Sequence, residues 1–547
     1  MGEINGGQLL ARQLKADGID TVFGVVAGPM IEVMAGAQAE GLRVVNCRHE
    51  VSAGFAASAY GWIKRQPGVL VVGSGPALTN AITPLYVATS SGMPLVVLGG
   101  SAAAFQRGLG GFQEADQVAF AAPGAKWAVQ ADSTERIPEY VHLALGRAAA
   151  GRPGGVYLDF PGQTIGMRIP EERVRLRERS PRVTLPHPDP AGVDAVAEML
   201  ASAERPLVLI GKGAGWAEAG DALTRLVDLG IPFVASPMGR GTVPDDHPMC
   251  RNAARSTALA GADAILMVGG RFNWIFQFGR GRRFAPNARL AQIDVEPSEF
   301  YGGADIEIGL TADAAVAVDQ VASALGGRSL RSATSGWAEQ LREDAEKNEA
   351  STEADLNSDA TPINHYRLLR ELRDLLPRES TISIDGELTM AVSRIVMQAY
   401  GERRILNSGT TGCMGTGLPY AIGAKLARPD EPSVALVGDY AFGAAAMEVE
   451  TAARVGAKVV IVVSNNQGIA GHSIQDRMFA ADAPPIAALM PAEYEKMVEM
   501  VGGFARRVEH PDDIRPALEA AFASDRLALV NVLTDPKGSA RGTMYLG

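Results

Sequence analysis

Short runs of Val, Ile and Leu recur along the chain, each tied to a stretch rich in alanine: GVLVVGSGPALTNAITPLYVA, MPLVVLGG, RPLVLIGKGAGWAEAGDAL and PSVALVGDYAFGAAAMEVETAARVGAKVVIVVSNN. A strand that is apolar at nearly every position must be covered on both faces, and a helical return between strands keeps neighbours parallel. The pattern predicts an α/β fold of parallel sheets flanked by helices. Two stretches break the rhythm. GMRIPEERVRLRERSPRVTLPHPDP, around 165–190, is rich in charge and proline, and around 326–362 a charged helix runs into KNEASTEADLNSDATP. Read as linkers, they divide the chain into three units at 1–165, 185–330 and 360–547, near the size of ordinary domains. The first and third units share a similar order of strands and helices.

Charge narrows the partners. A formal net charge of -11 and a pI near 5.3 argue against nucleic acid or an anionic membrane surface, so an anionic ligand must find basic residues clustered locally. Cys47, Cys250 and Cys413 lack any C-x-x-C spacing, which supports neither a disulfide framework nor a zinc site and fits a reducing cytoplasm. The N-terminal MGEINGGQLLARQLKADG reads as an amphipathic helix rather than a signal peptide, and no apolar run approaches the roughly 20 residues that span a bilayer.

The strongest chemical signal is in the third unit. PSVALVG ends at Asp439 and VVIVVSNN ends at Asn466, 27 positions on (466 - 439), room for one strand-helix-strand return to the same sheet edge. A helix is expected from about Gly443. Carboxyl ends of parallel strands are where such sheets bind ligands. The hard oxygens of Asp439, Asn466 and the Gly468 carbonyl suit magnesium holding a diphosphate. Without that context, Asp439 is a turn residue and the asparagines close a strand.

Gly438-Asp439-Tyr440 followed by Asn465-Asn466 resembles the G-D-G and N-N signature of thiamine diphosphate enzymes, with Tyr440 in place of the final glycine. The resemblance implies a cofactor lined by Gly438, Asp439, Tyr440, Ala441, Asn466, Gly468 and Ile469. It gives Glu50, in NCRHEVSAGFAASAYG, the role of hydrogen-bonding the aminopyrimidine and driving loss of the thiazolium proton. By itself Glu50 is an acid favoured by the N-terminus of a helix. Met414, in SGTTGCMGTGLPYAIGAKLA, takes the place of the residue that props the cofactor in its bent form, and is otherwise a core filler. Thr79 and Asn80, in SGPALTN, resemble the family's cofactor loop in the first unit, and are otherwise cap residues.

Longer stretches, including GDYAFGAAAMEVETAARV, GRPGGVYLDFPG, GKGAGWAEA, AQIDVEPSEF, GTTGCMGTGL and LMPAEYEKMVEMVGG, resemble the branch that holds 2-hydroxyacyl-CoA lyases and oxalyl-CoA decarboxylases. The lyase reaction this implies converts a 2-hydroxyacyl-CoA to formyl-CoA and an aldehyde or ketone, and needs a base for the hydroxyl. Phe112-Gln113 stands where the decarboxylases carry tyrosine and glutamate, so Gln113 favours a lyase. Ala470 and Gly471 replace larger residues, which favours a branched acyl group such as 2-hydroxyisobutyryl, with acetone as product. Glu493 is the candidate hydroxyl base, or else a solvated acid opening a helix with Tyr494. His472 is titratable but better read as a surface residue. The alternatives are an oxalyl-CoA decarboxylase, an acetolactate-synthase-like carboligase and an inactive cofactor-binding regulator.

Coenzyme A needs cations. Arg394 is placed as in the resembling CoA enzymes, and Arg403, Arg404, Lys537 and Arg541 are further candidates, the last two in a tail expected to order only around CoA. In the middle unit GKGAGWAEAG follows a strand and opens a helix, and the CoA branch implies ADP held there by Arg152, Lys212 and Asp294, whereas flavin-containing relatives imply FAD. The resemblance also implies a site shared between subunits, with a dimer as the minimum and a tetramer as the usual form.

Overall fold

The computed structural model describes residues 2–178, 181, 183–469 and 486–541. Three parallel sheets carry the chain. In spatial order the first runs Arg43–Asn46, Thr21–Gly24, Gly68–Val72, Leu95–Ser101, Gly155–Pro161 and Trp127–Gln130. The third runs Ile405–Leu406, Thr381–Asp385, Ser433–Gly438, Val459–Asn465, Ala528–Leu533 and Phe504–Val508. Numbered within each sheet, both orders are 2-1-3-4-6-5, so the shared rhythm of the first and third units is a shared topology. The middle sheet has five strands, Phe233–Ala235, Pro206–Ile210, Ala264–Val268, Arg289–Asp294 and Ile308–Thr311.

In all three sheets the first strand lies between the second and the third. The sheet therefore grows in one direction from the first strand to the second and then in the other to the third, which opens a crevice at the carboxyl ends of the first and third strands. The central strands are buried, as their uninterrupted apolar runs require: Gly68–Val72, Pro206–Ile210 and Val459–Asn465 are buried at every position, whereas the edge strands Trp127–Gln130 and Phe504–Val508 are partly exposed. Outside these sheets, Glu3–Asn5 pairs antiparallel with Arg168–Pro170 and ties the ends of the first unit together.

One core joins the first and third units. Helix Glu50–Lys64 packs on helix Gly417–Ala427, with Phe55 edge-on to Tyr420 at 5.7 Å between ring centres. A Cβ at Gly423 would stand 2.2 Å from the Ala56 carbonyl oxygen, so only glycine lets these helices approach so closely.

Two local expectations differ from the structure. Helix Trp337–Ala350 belongs to the packed middle unit rather than to a linker. Trp337, Leu341 and Ala345, spaced by four, face inward, and the Trp337 indole donates to the Pro206 carbonyl at 3.1 Å. The helix expected from Gly443 starts at Asp439 itself, runs to Gly443, and is followed by Glu448–Arg454. No helix among the described residues is long and apolar enough to cross a membrane, and the three cysteines are free thiols.

Candidate active site

Asp439 follows directly on strand Ser433–Gly438, third in its sheet, and so stands at the crevice where that sheet reverses its direction of growth. It is 1 % exposed. Its carboxylate accepts the backbone N–H of Tyr440 at 2.8 Å and of Gly468 at 3.0 Å. Burial pushes the carboxyl up to about 6, against the lowering effect of those N–H groups. Asn466 is buried beside the end of the neighbouring strand. Gln467 adopts φ 60°, and the chain then crosses antiparallel to Ala488 through Gly468. A buried carboxylate, a side-chain amide and a backbone carbonyl form a hard-oxygen donor set of the kind magnesium takes. Among the described residues no group of three or more His, Cys, Asp or Glu side chains could hold a metal. An ion here therefore depends on amide, carbonyl and diphosphate oxygens as well as Asp439. Met414, Tyr440 and Ile469 are partly exposed around this edge, whereas Ala441 is buried.

In the first unit, Glu50 is the first residue of helix Glu50–Lys64, capped by His49, whose Nδ1 accepts the Val51 N–H at 3.2 Å. Asn80 donates to Glu50 Oε2 at 3.0 Å, which joins two candidates read from different motifs. Thr79 does not cap its helix, Pro76–Ser91; it lies one turn inside and donates to the Pro76 carbonyl at 2.9 Å. Gln113, at φ 56°, accepts from the Ser74 hydroxyl at 2.6 Å and so is bound to the turn that opens the same helix. Gln117, which sequence reasoning passed over, holds that turn from below: its Oε1 accepts the Gly75 N–H, and its amide donates to Tyr157 and Asp159.

The middle-unit candidates also come together. Lys212 follows the first strand of its sheet and Asp294 ends the fourth, at the same carboxyl edge. Lys212 Nζ is buried without a hydrogen-bond partner and lies 4.1 Å from the centre of the Trp62 ring. Burial, then the charges of Arg152 and Arg271, drive its ammonium well below the ordinary lysine range. Asp294 is pushed up to about 6, mainly by burial, with Arg152 and Arg271 pulling the other way. Arg152 pairs with Glu299 at 2.6 Å. Arg271, which no motif marked although it follows Gly269-Gly270 at a strand end, donates with Arg152 to the Ser90 carbonyl at the close of helix Pro76–Ser91. Two guanidinium groups thus sit at the negative end of the helix that begins at the Gly75 turn.

The cations proposed for coenzyme A separate. Arg394 is half-buried, and burial lowers it to about 10. Arg255 is lowered to about 10, by burial and then by the charges of Arg394 and Arg283. These three guanidinium groups form a cationic cluster between the middle and third units, of which the sequence marked only Arg394. Arg403 is committed to the Gly215 carbonyl and to Glu218 at 3.0 Å, and Arg404 to Glu431 and the Glu379 carbonyl. Arg541 pairs with Asp355 at 2.7 Å, while Lys537 is exposed. Glu493 is exposed and bonded to Lys496, which holds its carboxyl below the usual range. It precedes a turn into helix Lys496–Glu499, and Tyr494 packs edge-on against Phe442 at 5.6 Å. Ala470, Gly471 and His472 lie outside the described residues.

Sequence models of the thiamine pyrophosphate enzymes match in three parts: the N-terminal TPP binding domain at residues 4–120, the central domain at 193–321 and the C-terminal TPP binding domain at 385–532. The chain belongs to the thiamine pyrophosphate enzymes, and is a thiamine diphosphate-dependent lyase with an α/β fold. It is 36% identical over 558 residues to the 2-hydroxyacyl-CoA lyase of Oryza sativa subsp. japonica, covering 98% of this chain and 96% of that one. It is 34% identical over 546 residues to the oxalyl-CoA decarboxylase of Escherichia coli, covering 97% and 95%. A probable acetolactate synthase of Mycobacterium bovis is 37% identical over 541 residues, covering 97% and 96%.

Proposed function

We propose that the protein cleaves a 2-hydroxyacyl-CoA, favouring a branched acyl group such as 2-hydroxyisobutyryl, into formyl-CoA and a ketone or aldehyde, with thiamine diphosphate and Mg2+ as cofactors. The observation that carries the CoA half of this reading is the half-buried cluster of Arg394, Arg255 and Arg283 in an otherwise acidic protein, a placement suited to phosphate oxygens. When bound, thiamine diphosphate supplies the electron sink that makes scission of the bond between C1 and C2 accessible. The chain's own residues do the rest. Asp439, Asn466 and the Gly468 carbonyl hold Mg2+, and Glu50, oriented by Asn80, hydrogen-bonds the aminopyrimidine. Glu493, kept ionised by Lys496, accepts the substrate hydroxyl proton, and Gln113, fixed to Ser74, orients the acyl group.

The middle unit binds ADP between Arg152, Lys212 and Asp294, a reading supported by the unpartnered buried ammonium. The active form is a homodimer or larger, with Glu50 of one subunit facing Asp439 of another. Half-exposed Met414, Tyr440 and Ile469, together with exposed Phe105, Leu109 and Phe112, support a covering partner. Domain limits at 1–165, 185–330 and 360–547, and a cytoplasmic home for the free thiols, complete the proposal.

The test is incubation with thiamine diphosphate, Mg2+ and a panel of linear and branched 2-hydroxyacyl-CoAs, with acetone and formyl-CoA read by mass spectrometry for the 2-hydroxyisobutyryl substrate. Absence of product across the panel removes the 2-hydroxyacyl-CoA reading. Carbon dioxide from oxalyl-CoA would favour the decarboxylase instead, and a yellow flavin spectrum the carboligase.

A further inference from the structure

Strand Arg43–Asn46 ends just before Glu50, and the amide of Cys47 makes the last ladder bond, to the Gly24 carbonyl at 2.8 Å. The next amide, that of Arg48, lies past the sheet and before the helix, so it needs an acceptor from elsewhere. Glu448 supplies one from the third unit. It is 2 % exposed, and its two carboxylate oxygens share the Arg48 N–H at 3.1 and 3.3 Å, while Thr451 Oγ1 donates to Oε2 at 2.6 Å. The same short helix, Glu448–Arg454, touches this turn twice more: the Arg454 guanidinium donates to the Asn46 carbonyl, and Glu450 faces Arg48 at 4.0 Å. That last pair is solvated and contributes little. Glu448 is different, because a charged acceptor taken out of water is stable only with its donors in place.

We infer that Glu448 is a positioning residue that acts through Glu50: its carboxylate fixes the Arg48 amide, and with it the turn from Cys47 to His49 that sets where the Glu50 carboxyl points. The inference rests on the proposed role of Glu50 at the aminopyrimidine. Asn80 holds the far end of the Glu50 side chain, whereas Glu448 holds the backbone from which it springs, so loss of either loosens the same group. Only His49 stands between Arg48, whose amide is held, and Glu50. A displacement of the turn is therefore passed on to the carboxyl without an intervening flexible segment.

The experiment uses the enzyme with thiamine diphosphate and Mg2+ and no acyl substrate, and measures exchange of the cofactor C2 proton for deuterium by acid quench and NMR. Glu448→Gln keeps shape but offers the Arg48 amide one acceptor oxygen in place of two. It is expected to slow C2 exchange by about tenfold or more, to leave cofactor affinity within about threefold, and to speed amide exchange across residues 46–50 in the cofactor-free protein. In a Glu50→Gln background the same change should cause no further slowing. If Glu448→Gln fails to fold, Glu448→Asp, too short to reach the amide, carries the comparison. Unchanged C2 exchange, or equal slowing with and without Glu50, overturns the inference. Should Glu50→Gln alone leave exchange unchanged, it is the role of Glu50 that falls. The result is independent of which acyl-CoA the enzyme cleaves.

Discussion

Lys212 allows two effects of opposite sign to be read from one substitution. Its Nζ is buried, unpartnered and flanked by Arg152 and Arg271, so the folded protein either keeps an uncompensated ammonium or gives up its proton. An unsatisfied buried polar group costs about 1–3 kcal/mol. Against this stands the contact with the Trp62 ring, worth about 0.5–2 kcal/mol if the charge is retained. Lys212→Met preserves the stem and its packing while removing the polar atom. The nucleotide-free variant should therefore gain on the order of 1 kcal/mol, about 2–4 °C in melting temperature for a unit of this size. With ADP at about 100 times its Kd the wild type should gain about 2.7 kcal/mol, and the variant little. The sign in pH follows from the lowered folded-state pKa. As pH rises towards 10.5 the unfolded lysine holds a proton that the folded one lacks, so wild-type stability climbs across that window, and the variant should lose this share. Scanning calorimetry with and without ADP, from pH 7 to 10, is the assay. A variant that melts below the wild type without nucleotide and still responds to ADP would refute the reasoning.

Asp439→Ala should weaken magnesium-dependent thiamine diphosphate binding by at least about 100-fold, measured by calorimetric titration, and chelation of Mg2+ should do the same to the wild type. Glu493→Ala should lower kcat by about 100-fold with little change in acyl-CoA KM; an unchanged rate dismisses it as the hydroxyl base. Arg394→Met should raise KM for acyl-CoA by about tenfold or more, while cofactor binding, followed by the same titration, stays intact. Burial lowers the His365 imidazole to about 4, so the unfolded state binds a proton the folded state refuses between that value and 6.5. Stability should fall by on the order of 3 kcal/mol over this acid limb, and denaturant titrations of His365→Gln should show a shallower loss.

Those elements that follow from local pattern were legible without coordinates. Continuous apolar runs specified buried parallel strands, because no half-exposed strand tolerates them. The interval from Asp439 to Asn466 specified one crossover, and a carboxylate, amides and glycine at a strand end marked the anchor proposed here. Family resemblance added Glu50. What pattern could not supply was any contact between residues distant in sequence. Arg271 joins its cluster because a strand end delivers it there, and Arg255, opening helix Arg255–Gly261, meets Arg394 only once the middle and third units pack together. Arg403 and Arg404, adjacent to the same signal that marked Arg394, turn out to be spent on Glu218, Glu431 and backbone carbonyls. Trp337 looked like part of a linker until an inward face on a charged helix found the middle sheet to cover. Glu448 stood only inside a longer stretch of family resemblance, with no role of its own, and its partner lies 400 residues away. Sequence determined which groups stand at the carboxyl ends of strands, since strand polarity and spacing are local. The tertiary structure decided which of those groups share one buried space, where a lost hydrogen bond or an unpaired charge costs far more than it does in water.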